Sequence, residues 1–432
     1  MQIVDNVLAK RAANGNPIRV GLVGAGFMSR GLTHQIVNFV PGIAVSAIYN
    51  RTLARAGEAY RFANGHIEAT AVSSQSAFDS AVAAGTPVIT DDPFLLSRCD
   101  QLDVLVELTG AVELGAQVTL DAISHHKHMI LMNAEVDATV GPILKTYADA
   151  EGVIVSASDG DQPGVQINLA RFVKGLGLTP RVLGNVKGLQ DEHRNPTTQA
   201  GFAAQWGQNP AMVTSFADGS KVSFEQAIVA NALGLTVHKR GMLGLEHDGH
   251  VDELTTKYDL DELRALGGVV DYVVKAKPGP GVFCLAEHSD AKQRHYLNLF
   301  KLGEGPLYSF YTPYHLCHLE VPNTIGRVVD FGDSAGSPLG PPMVEVCAVT
   351  KRALSAGEIL DDYGNYMTYG QAVSANEMSA GNYLPEGVVE GCRVRRDLPI
   401  DSVITYDDVE LPAGRIVDRL RAEQRAMFAR QS

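Results

Sequence analysis

A lysine and an aspartate stand four residues apart in the segment "KGLQDEHRNP", as Lys187 and Asp191. These residue types suit the reduction of a carbonyl group, because an ammonium can donate to the developing oxyanion and a carboxylate can orient that ammonium. The sequence therefore predicts Lys187 and Asp191 as catalytic residues. The alternative interpretation is an exposed charged loop without a chemical role.

A second candidate is the glycine-rich segment "RVGLVGAGFMSRG". A turn of this kind between a strand and a helix seats a dinucleotide, because its first glycine makes the bend and its second lets backbone amides approach the pyrophosphate. Ser29 stands where a third glycine is usual, and its side chain is small enough to replace one. We expect a cradle in front of the helix N-terminus, formed by Gly24, Ala25, Gly26, Phe27 and Met28.

The segment "YNRT", at the end of the next apolar run, bears on which dinucleotide is bound. An acidic residue at this position binds the ribose 2′-hydroxyl of NAD and repels a 2′-phosphate. The position holds Asn50, and it is followed by Arg51 and Thr52, which can pair with a 2′-phosphate or donate to it. The sequence therefore predicts NADPH as the cofactor. The plainer interpretation is a solvated basic helix start.

Polar residues also follow later apolar runs that have the character of strands. In an open parallel sheet, ligands bind beyond the carboxyl ends of the strands. Each of these residues could instead cap a helix, but their joint occurrence at one edge favours a site. The residues are Thr109, Gly110, Asn133, Glu135, Asp159, Asp161 and Gln162. We expect the first three near the cofactor, Glu135 in proton transfer, and the last three on substrate hydroxyl groups.

Two further segments carry side chains that could bind an anion or the cofactor. "VHKRGMLG" places Lys239 and Arg240 before a glycine, which suits a phosphate or a carboxylate. "FYTPYHL" places Tyr314 and His315 after a proline, where we expect them near the nicotinamide. The histidine-rich stretches "HHKH" and "LEHDGH" fit helix-terminal cations and a solvated loop better than a metal site. A divalent metal, Mg²⁺ or Mn²⁺, is compatible with this chemistry, but the sequence assigns it no ligands.

These side chains need a scaffold, and the alternation of short apolar runs with helix-like stretches predicts one. We expect an α/β fold with a Rossmann-type doubly wound parallel sheet over residues 1–160 and a return segment at 311–335. An α+β substrate and dimerisation domain should follow at 161–310. A small β-rich C-terminal domain should occupy 340–432, beyond the linker-like "GDSAGSPLGPP".

Composition excludes several classes of function. The formal net charge of −13 over 432 residues argues against a nucleic-acid partner, because a phosphate backbone needs a basic surface. The five cysteines include no C-x-x-C pair, which argues against a disulfide or zinc framework. No apolar run reaches about 18 residues and no signal-peptide core is present. We therefore expect a cytoplasmic protein without a membrane span.

The order of "ELTG", "NAE", "SDGDQPG", "KGLQDEHRNP", "KRGM" and "PYHL" after the glycine turn resembles the homoserine dehydrogenase-like oxidoreductases. Within them the chain is similar to the proteins called DXR-like, and its tail is similar to their SAF domain. The resemblance implies an NADPH-dependent homodimer that converts 1-deoxy-D-xylulose 5-phosphate to 2-C-methyl-D-erythritol 4-phosphate, for isoprenoid biosynthesis. His193, Arg194, Lys239 and Arg240 would then hold the phosphate of this small phosphorylated sugar.

Two departures and two alternatives remain. Homoserine dehydrogenases carry a lysine where this chain has Ala134, and classical reductoisomerases have a Ser-Glu-His metal segment that this chain lacks. The first alternative is a dehydrogenase of another small sugar, sugar acid or hydroxy aldehyde. The second is a non-catalytic protein that binds a cofactor or a carbohydrate.

Overall fold

The computed structural model describes residues 2–429 and divides the chain into two compact units. The first unit comprises the chain up to residue 161, residues 316–337 and the chain from 415 onward. The second comprises residues 162–315 and 338–414. The sequence predicted one separate C-terminal domain from residue 340, whereas the structure places this part of the chain in both units.

The first unit is built on a seven-stranded sheet in the order β3-β4-β2-β1-β5-β6-β7. Every strand pair in it is parallel, which confirms the predicted α/β class. Parallel strands are covered on both faces, which is why they appear in the sequence as nearly continuous apolar runs. The strands are β1 Ile18–Val23, β2 Ile43–Tyr49, β3 Thr70–Ala71, β4 Val88–Thr90, β5 Val104–Glu107, β6 His128–Leu131 and β7 Val155–Ala157.

The helices that accompany this sheet are α1 Gln2–Ala13, α2 Phe27–Phe39, α3 Leu53–Ala63, α4 Gln75–Ala83, α5 Phe94–Ser97, α6 Val112–Ser124, α7 Ala134–Ala150, α14 Val321–Phe331 and α16 Ile416–Phe428. Of these, α1, α2, α3 and α14 contribute residues to the apolar core of the sheet. Among residues 2–429, no helix is both long enough and apolar enough to cross a membrane.

The last helix, α16, hydrogen-bonds to the backbone of α7 next to a proline inside that helix. Pro142 lies inside α7, where proline disturbs the helical hydrogen-bond ladder. The N–H of Ile143 donates to Gln424 Oε1 of α16 (3.2 Å), and the carbonyl of Thr139 accepts from Arg421 Nη1 (3.0 Å). Two side chains of α16 thus bond the α7 backbone on either side of Pro142, in keeping with the place of this helix in the first unit.

The second unit contains a mixed five-stranded sheet in the order β12-β11-β8-β10-β9. Strand β10 pairs in parallel with β8 and β9, and β11 pairs antiparallel with β8 and β12. The strands are β8 Thr179–Lys187, β9 Leu245–Glu246, β10 Val269–Val274, β11 Gly281–Glu287 and β12 Leu307–Thr312. The helices are α8 Gln162–Gly175, α9 Pro196–Trp206, α10 Pro210–Asp218, α11 Ser220–Leu233, α12 Leu260–Leu266 and α13 Ala291–Leu299.

Residues 338–414 add two short antiparallel pairs to the second unit. The longer pair, β13 Val344–Thr350 with β14 Thr368–Ser374, packs against α11 and is called the β13–β14 hairpin below. The remaining elements are α15 Ala375–Ala380, β15 Arg393–Val394 and β16 Val409–Glu410.

Candidate functional site

The glycine turn has the backbone that a dinucleotide cradle needs. Gly24 has φ +112°, and a Cβ there would lie 3.2 Å from Thr109 Cγ2. Gly26 caps α2 with an extended backbone, and no atom lies within 4 Å of the place where its Cβ would be. Because the N–H groups of the first helical turn have no partners within the helix, this open cradle suits a pyrophosphate. Phe27 and Met28 begin α2, and Ala25 is buried beneath them in the turn.

The close approach that a third glycine would allow occurs at Gly31 instead of Ser29. Ser29 is fully buried. A Cβ on Gly31 would lie 2.5 Å from Nε2 of His318, which belongs to the returning segment 316–337. Burial lowers the pKa of His318, so its imidazole is neutral at pH 7. The glycine at position 31 is therefore needed for this segment to pack on α2.

Both a cation and two carboxylates lie near the end of β2. Arg51 and Thr52 are exposed, and Asn50 Nδ2 donates to the carbonyl of Thr52 (2.9 Å). The neighbouring strand β4 is followed directly by Asp91 and Asp92. Sequence analysis missed these two carboxylates, although the "TDDP" after an apolar run was a visible signal.

Two of the predicted cofactor residues hold the loops at the carboxyl ends of β5 and β6. Glu107 is buried, and it accepts hydrogen bonds from the Thr109 backbone N–H (2.8 Å) and from the Thr109 hydroxyl. Burial raises the pKa of Glu107 to about 7. Asn133 caps α7 through Val136 N–H (3.2 Å) and donates to the carbonyl of Ala111 (3.3 Å). Helix capping therefore accounts for part of the polar pattern seen in the sequence.

Of the remaining residues predicted at these strand ends, Gly110 has φ +72° and Glu135 lies buried in the first turn of α7. Asp159 is also buried, and it accepts from Arg327 Nη1 (2.8 Å) and Thr324 Oγ1 (2.9 Å) of α14. Asp159 was predicted to bind substrate, but its carboxylate anchors the returning helix. Asp161 lies half-buried at the end of the first unit.

A buried polar network crosses the second unit beneath the end of β8. Asn185 Nδ2 donates to Glu225 Oε2 of α11 (2.9 Å), and Asn185 Oδ1 accepts from Gln166 Nε2 (2.6 Å). Gln162 lies beside Asn185, with its side-chain amide 3.4 Å from Nε2 of His315. The prediction placed Gln162 at a substrate and His315 at a nicotinamide, and the structure brings these two side chains together. Tyr314 is largely exposed.

Lys187 lies at the carboxyl end of β8, on the same face as Asn185 because alternate residues of a strand share a face. Its Nζ donates to the carbonyl of Phe216 (2.8 Å) and lies 5.9 Å from the centre of the Tyr272 ring. Burial lowers the pKa of Lys187 to about 8, against the opposing charges of Glu225 and two further carboxylates, Asp218 and Glu192. A lysine with a pKa near neutrality can donate and accept a proton at physiological pH.

Lys187 and Asp191, predicted to act together, have different hydrogen-bond partners in the structure. Residues four apart face each other on a helix, but residues 188–195 form an irregular loop. Asp191 accepts from Arg194 Nε (2.9 Å) and from the backbone N–H of His193 (3.2 Å). Glu225, Asp218 and Glu192 supply the negative charge near Lys187 instead.

A small open cleft, with a cavity volume of about 10 Å³, lies in the second unit, and one of its lining residues is Tyr272, whose ring centre is 5.9 Å from Lys187 Nζ. Its walls carry carboxylates, amides, a serine and phenols, with no lysine or arginine among the lining residues. The lining residues are Gln190, Glu192, Asp218, Gly219, Val222, Ser223, Gly241, Tyr272, Tyr369, Gly370 and Gln371. This chemistry suits a ligand rich in hydroxyl groups.

Three of the four side chains predicted to hold a phosphate already have partners. Arg194 pairs with Asp191, as described above, and His193 Nε2 lies 3.0 Å from Asp401 Oδ1. Arg240 Nε donates to Gln371 Oε1 (3.1 Å). Lys239 is exposed. The sequence showed these basic residues, but not the acids and amides that the fold places beside them, and their role in holding a phosphate stays a prediction.

Comparisons with known proteins place two family models on the chain. Residues 20–156 match the NAD-binding domain of homoserine dehydrogenase, and residues 160–321 match the catalytic domain of the oxidoreductase DRL. No curated protein matches. Similar solved structures include a probable dehydrogenase from Thermotoga maritima, with 12% identity over 74% of this chain and 90% of that one and a TM-score of 0.40. Another is scyllo-inositol dehydrogenase from Lactobacillus casei, with 12% identity, coverage of 63% and 66%, and a TM-score of 0.33.

Proposed function

We propose that this chain, an oxidoreductase with an NAD-binding domain of the homoserine dehydrogenase type, interconverts an alcohol and a carbonyl group on a small, uncharged, polyhydroxylated compound. The observation that carries the proposal is the position of Lys187, whose pKa is lowered to about 8, beside a cleft lined by carboxylates, amides and phenols. This proposal takes up the first alternative from the sequence, a dehydrogenase of a small sugar or hydroxy aldehyde.

The cradle at Gly24 and Gly26 fits the pyrophosphate of a nicotinamide dinucleotide, because a Cβ at Gly26 would occupy space that is open in this structure. When bound, this cofactor supplies or accepts a hydride at the reacting carbon. In reduction, the Lys187 ammonium donates its proton to the oxygen as negative charge develops there. In oxidation, the neutral amine accepts that proton from the alcohol.

Glu225 and Asn185 adjust the proton affinity of Lys187 in this transfer. Glu225 is buried, and its negative charge favours the ammonium form of Lys187, which burial alone would disfavour. Asn185 holds the Glu225 carboxylate through a 2.9 Å hydrogen bond. The balance of these effects keeps the lysine able to both give and take a proton near pH 8.

An uncharged substrate is proposed because no lysine or arginine is among the residues that line the cleft. Glu192 lines it and would repel a dianionic group, whereas Asp218, which also lines it, is ion-paired with Lys351 (2.8 Å). Hydroxyl groups, in contrast, can donate to carboxylates and amide oxygens and accept from amide N–H groups.

For the cofactor we propose NADPH over NADH. Arg51 and Thr52 are exposed at the end of β2, where they are free to meet a 2′-phosphate, and the end of β2 itself carries Asn50 in place of an acid. Asp91, beyond β4, is the feature that opposes this choice. The expected homodimer, the cytoplasmic location and any divalent metal stay predictions.

A second candidate is the conversion of 1-deoxy-D-xylulose 5-phosphate that the sequence resemblance implies. The observation in its favour is the loop at Gly241, where Lys239 is exposed and the guanidinium of Arg240 is 38% exposed. A phosphate outside the cleft could reach both cations.

The test is oxidation of NADPH and NADH by the full chain, followed at 340 nm, against matched free and phosphorylated ketoses and aldoses. The proposal expects turnover with free sugars. Turnover with 1-deoxy-D-xylulose 5-phosphate alone would support the second candidate and overturn the first.

A further inference from the structure

The β13–β14 hairpin forms one wall of the cleft that lies next to Lys187. Tyr369, Gly370 and Gln371, consecutive residues of β14, line it. Two hydrogen bonds fix the middle of this segment to the first turn of α11. The N–H of Gly370 donates to Ser220 Oγ (2.9 Å), and Ser223 Oγ donates to the carbonyl of Gly370 (3.0 Å).

A glycine is required at this point of attachment. A Cβ on Gly370 would lie 2.7 Å from Val346 Cγ1 and 3.2 Å from Glu386 Cγ. The side chains on either side, Tyr369 and Gln371, share one face of the strand because side chains alternate along it. The backbone thus holds the wall in place, and the Tyr369 hydroxyl is in turn fixed by a hydrogen bond to Asp401 Oδ1 (3.2 Å).

Only one of the two polar atoms of the Gln371 side-chain amide has a hydrogen-bond partner among residues 2–429. Its Oε1 accepts from Arg240 Nε (3.1 Å), whereas its Nε2 has no hydrogen-bond partner among residues 2–429. This Nε2 lies 3.3 Å from the place where a Cβ on Gly241 would be, and Gly241 lines the cleft. Arg240 therefore sets the orientation of the amide and turns its NH₂ group toward the Gly241 side of the cleft.

In Gln190 it is the amide oxygen, not the amide nitrogen, that lacks a hydrogen-bond partner among the described residues. Its Nε2 donates to Glu192 Oε1 (3.2 Å), while its Oε1 is buried and has no partner among the described residues. Buried polar atoms in folded proteins are normally hydrogen-bonded, and an unpaired one needs an explanation. One cleft thus contains an unused amide donor and an unused amide acceptor.

We infer that the β13–β14 hairpin selects the substrate, with Gln371 Nε2 donating to one hydroxyl group of an uncharged polyol and Gln190 Oε1 accepting from another. A hydroxyl group is both donor and acceptor, so a polyol can satisfy both amides at once. A phosphate dianion has no proton to donate to Gln190 Oε1 and would face the Glu192 carboxylate. The inference rests on the proposed function, because it identifies the residues that choose the substrate of the same cleft.

The test measures binding directly, on the full chain, by hydrogen–deuterium exchange with the uncharged polyols sorbitol, xylitol and myo-inositol, and with sorbitol 6-phosphate. The variants are Gln371→Leu and Gln190→Met, each close to glutamine in size. The control is Gln293→Leu, an exposed glutamine of α13 in the same unit. Melting temperatures establish that each variant is folded.

At least one uncharged polyol should slow exchange in the peptides that contain residues 190–192 and 369–371. Each cleft variant should raise the polyol concentration needed for half of this protection by about 2- to 12-fold, as the loss of one neutral hydrogen bond predicts. The control should match the wild type. If a substrate is turned over, its KM should rise by the same factor with kcat unchanged, since binding energy is lost equally in ground and transition states.

Three results would overturn the inference: no protection of these peptides by any of the three polyols, equal protection in Gln371→Leu and the wild type, or tighter binding of sorbitol 6-phosphate than of sorbitol. Protection by a polyol together with a complete lack of NAD(P)H oxidation distinguishes the inferred polyol site from the proposed redox reaction. In that case the polyol site stands and the proposed reaction fails.

Discussion

Replacing Lys187 with methionine tests the proton-transfer role assigned to it. Methionine keeps the unbranched shape of the side chain and removes only the titrating group. Loss of a positioned general acid typically lowers kcat by about 10²–10⁴-fold. Stability should change little or rise, because burial of the ammonium is unfavourable, as the lowered pKa of Lys187 records. A fall in kcat without a fall in melting temperature therefore separates catalysis from folding.

The pH dependence follows from the direction of the same shift. The pKa of Lys187 is lowered to about 8, so the ammonium predominates at pH 7 and is lost as the pH rises through 8. Since reduction needs the ammonium and oxidation needs the amine, the rate of reduction should fall above pH 8 and the rate of oxidation should rise. Steady-state kinetics in both directions from pH 6 to about pH 10 measure both limbs.

Lys292→Met provides the matched control, because Lys292 is an exposed lysine of α13 in the same unit. It should leave kcat and both pH profiles unchanged. A wild-type reduction rate that stays flat to pH 10, or a Lys187→Met variant with the kcat of the control, would refute the reasoning.

Three further perturbations test the cofactor preference and the stability of each unit. Arg51→Ala should raise the KM for NADPH about tenfold or more and leave that for NADH unchanged, because a charge-assisted bond contributes about 1.5–3 kcal/mol; an equal effect on both cofactors would contradict this. Lys351→Met leaves the buried Asp218 without its ion-pair partner at 2.8 Å, and should lower the free energy of unfolding in urea by about 3–5 kcal/mol. A double variant with Asp218→Asn should recover part of that loss. Gln424→Leu removes the side-chain acceptor of Ile143 N–H in α7, and should cost about 1–3 kcal/mol in the same measurement; no change would show that α16 does not stabilise α7 at Pro142.

The parallel sheet of the first unit could be predicted because its signals are local. Each of its longer strands is an apolar run of four to seven residues, and the turn at Gly24 and Gly26 stands directly between a strand and a helix. The helix α16 could not be predicted to join this unit. Its contacts depend on a proline-interrupted turn of α7 about 280 residues earlier in the chain.

The sequence singled out the cations of the candidate site, but it did not show which side chains the fold places beside them. Lys187 stood out because it ends an apolar run and begins a polar loop. Glu225, Tyr272 and Gln371 come from three different elements, and only the folded chain brings them to this cleft or its edge. Asp159 was assigned to a substrate from its place at a strand end, and only the folded chain shows that its carboxylate accepts a hydrogen bond from Arg327.

The central claim is that hydride passes between a nicotinamide and an uncharged polyhydroxylated carbonyl compound while Lys187 transfers the proton. The most direct measurement is a single-turnover experiment with NADPH deuterated at C4, in which the product is analysed by mass spectrometry and NMR for wild type and Lys187→Met. The account predicts one deuterium on the former carbonyl carbon of an unphosphorylated sugar, with transfer slowed at least about 10²-fold in the variant. Deuterium that reaches only the product of 1-deoxy-D-xylulose 5-phosphate, or a variant that transfers it at the wild-type rate, would contradict the account.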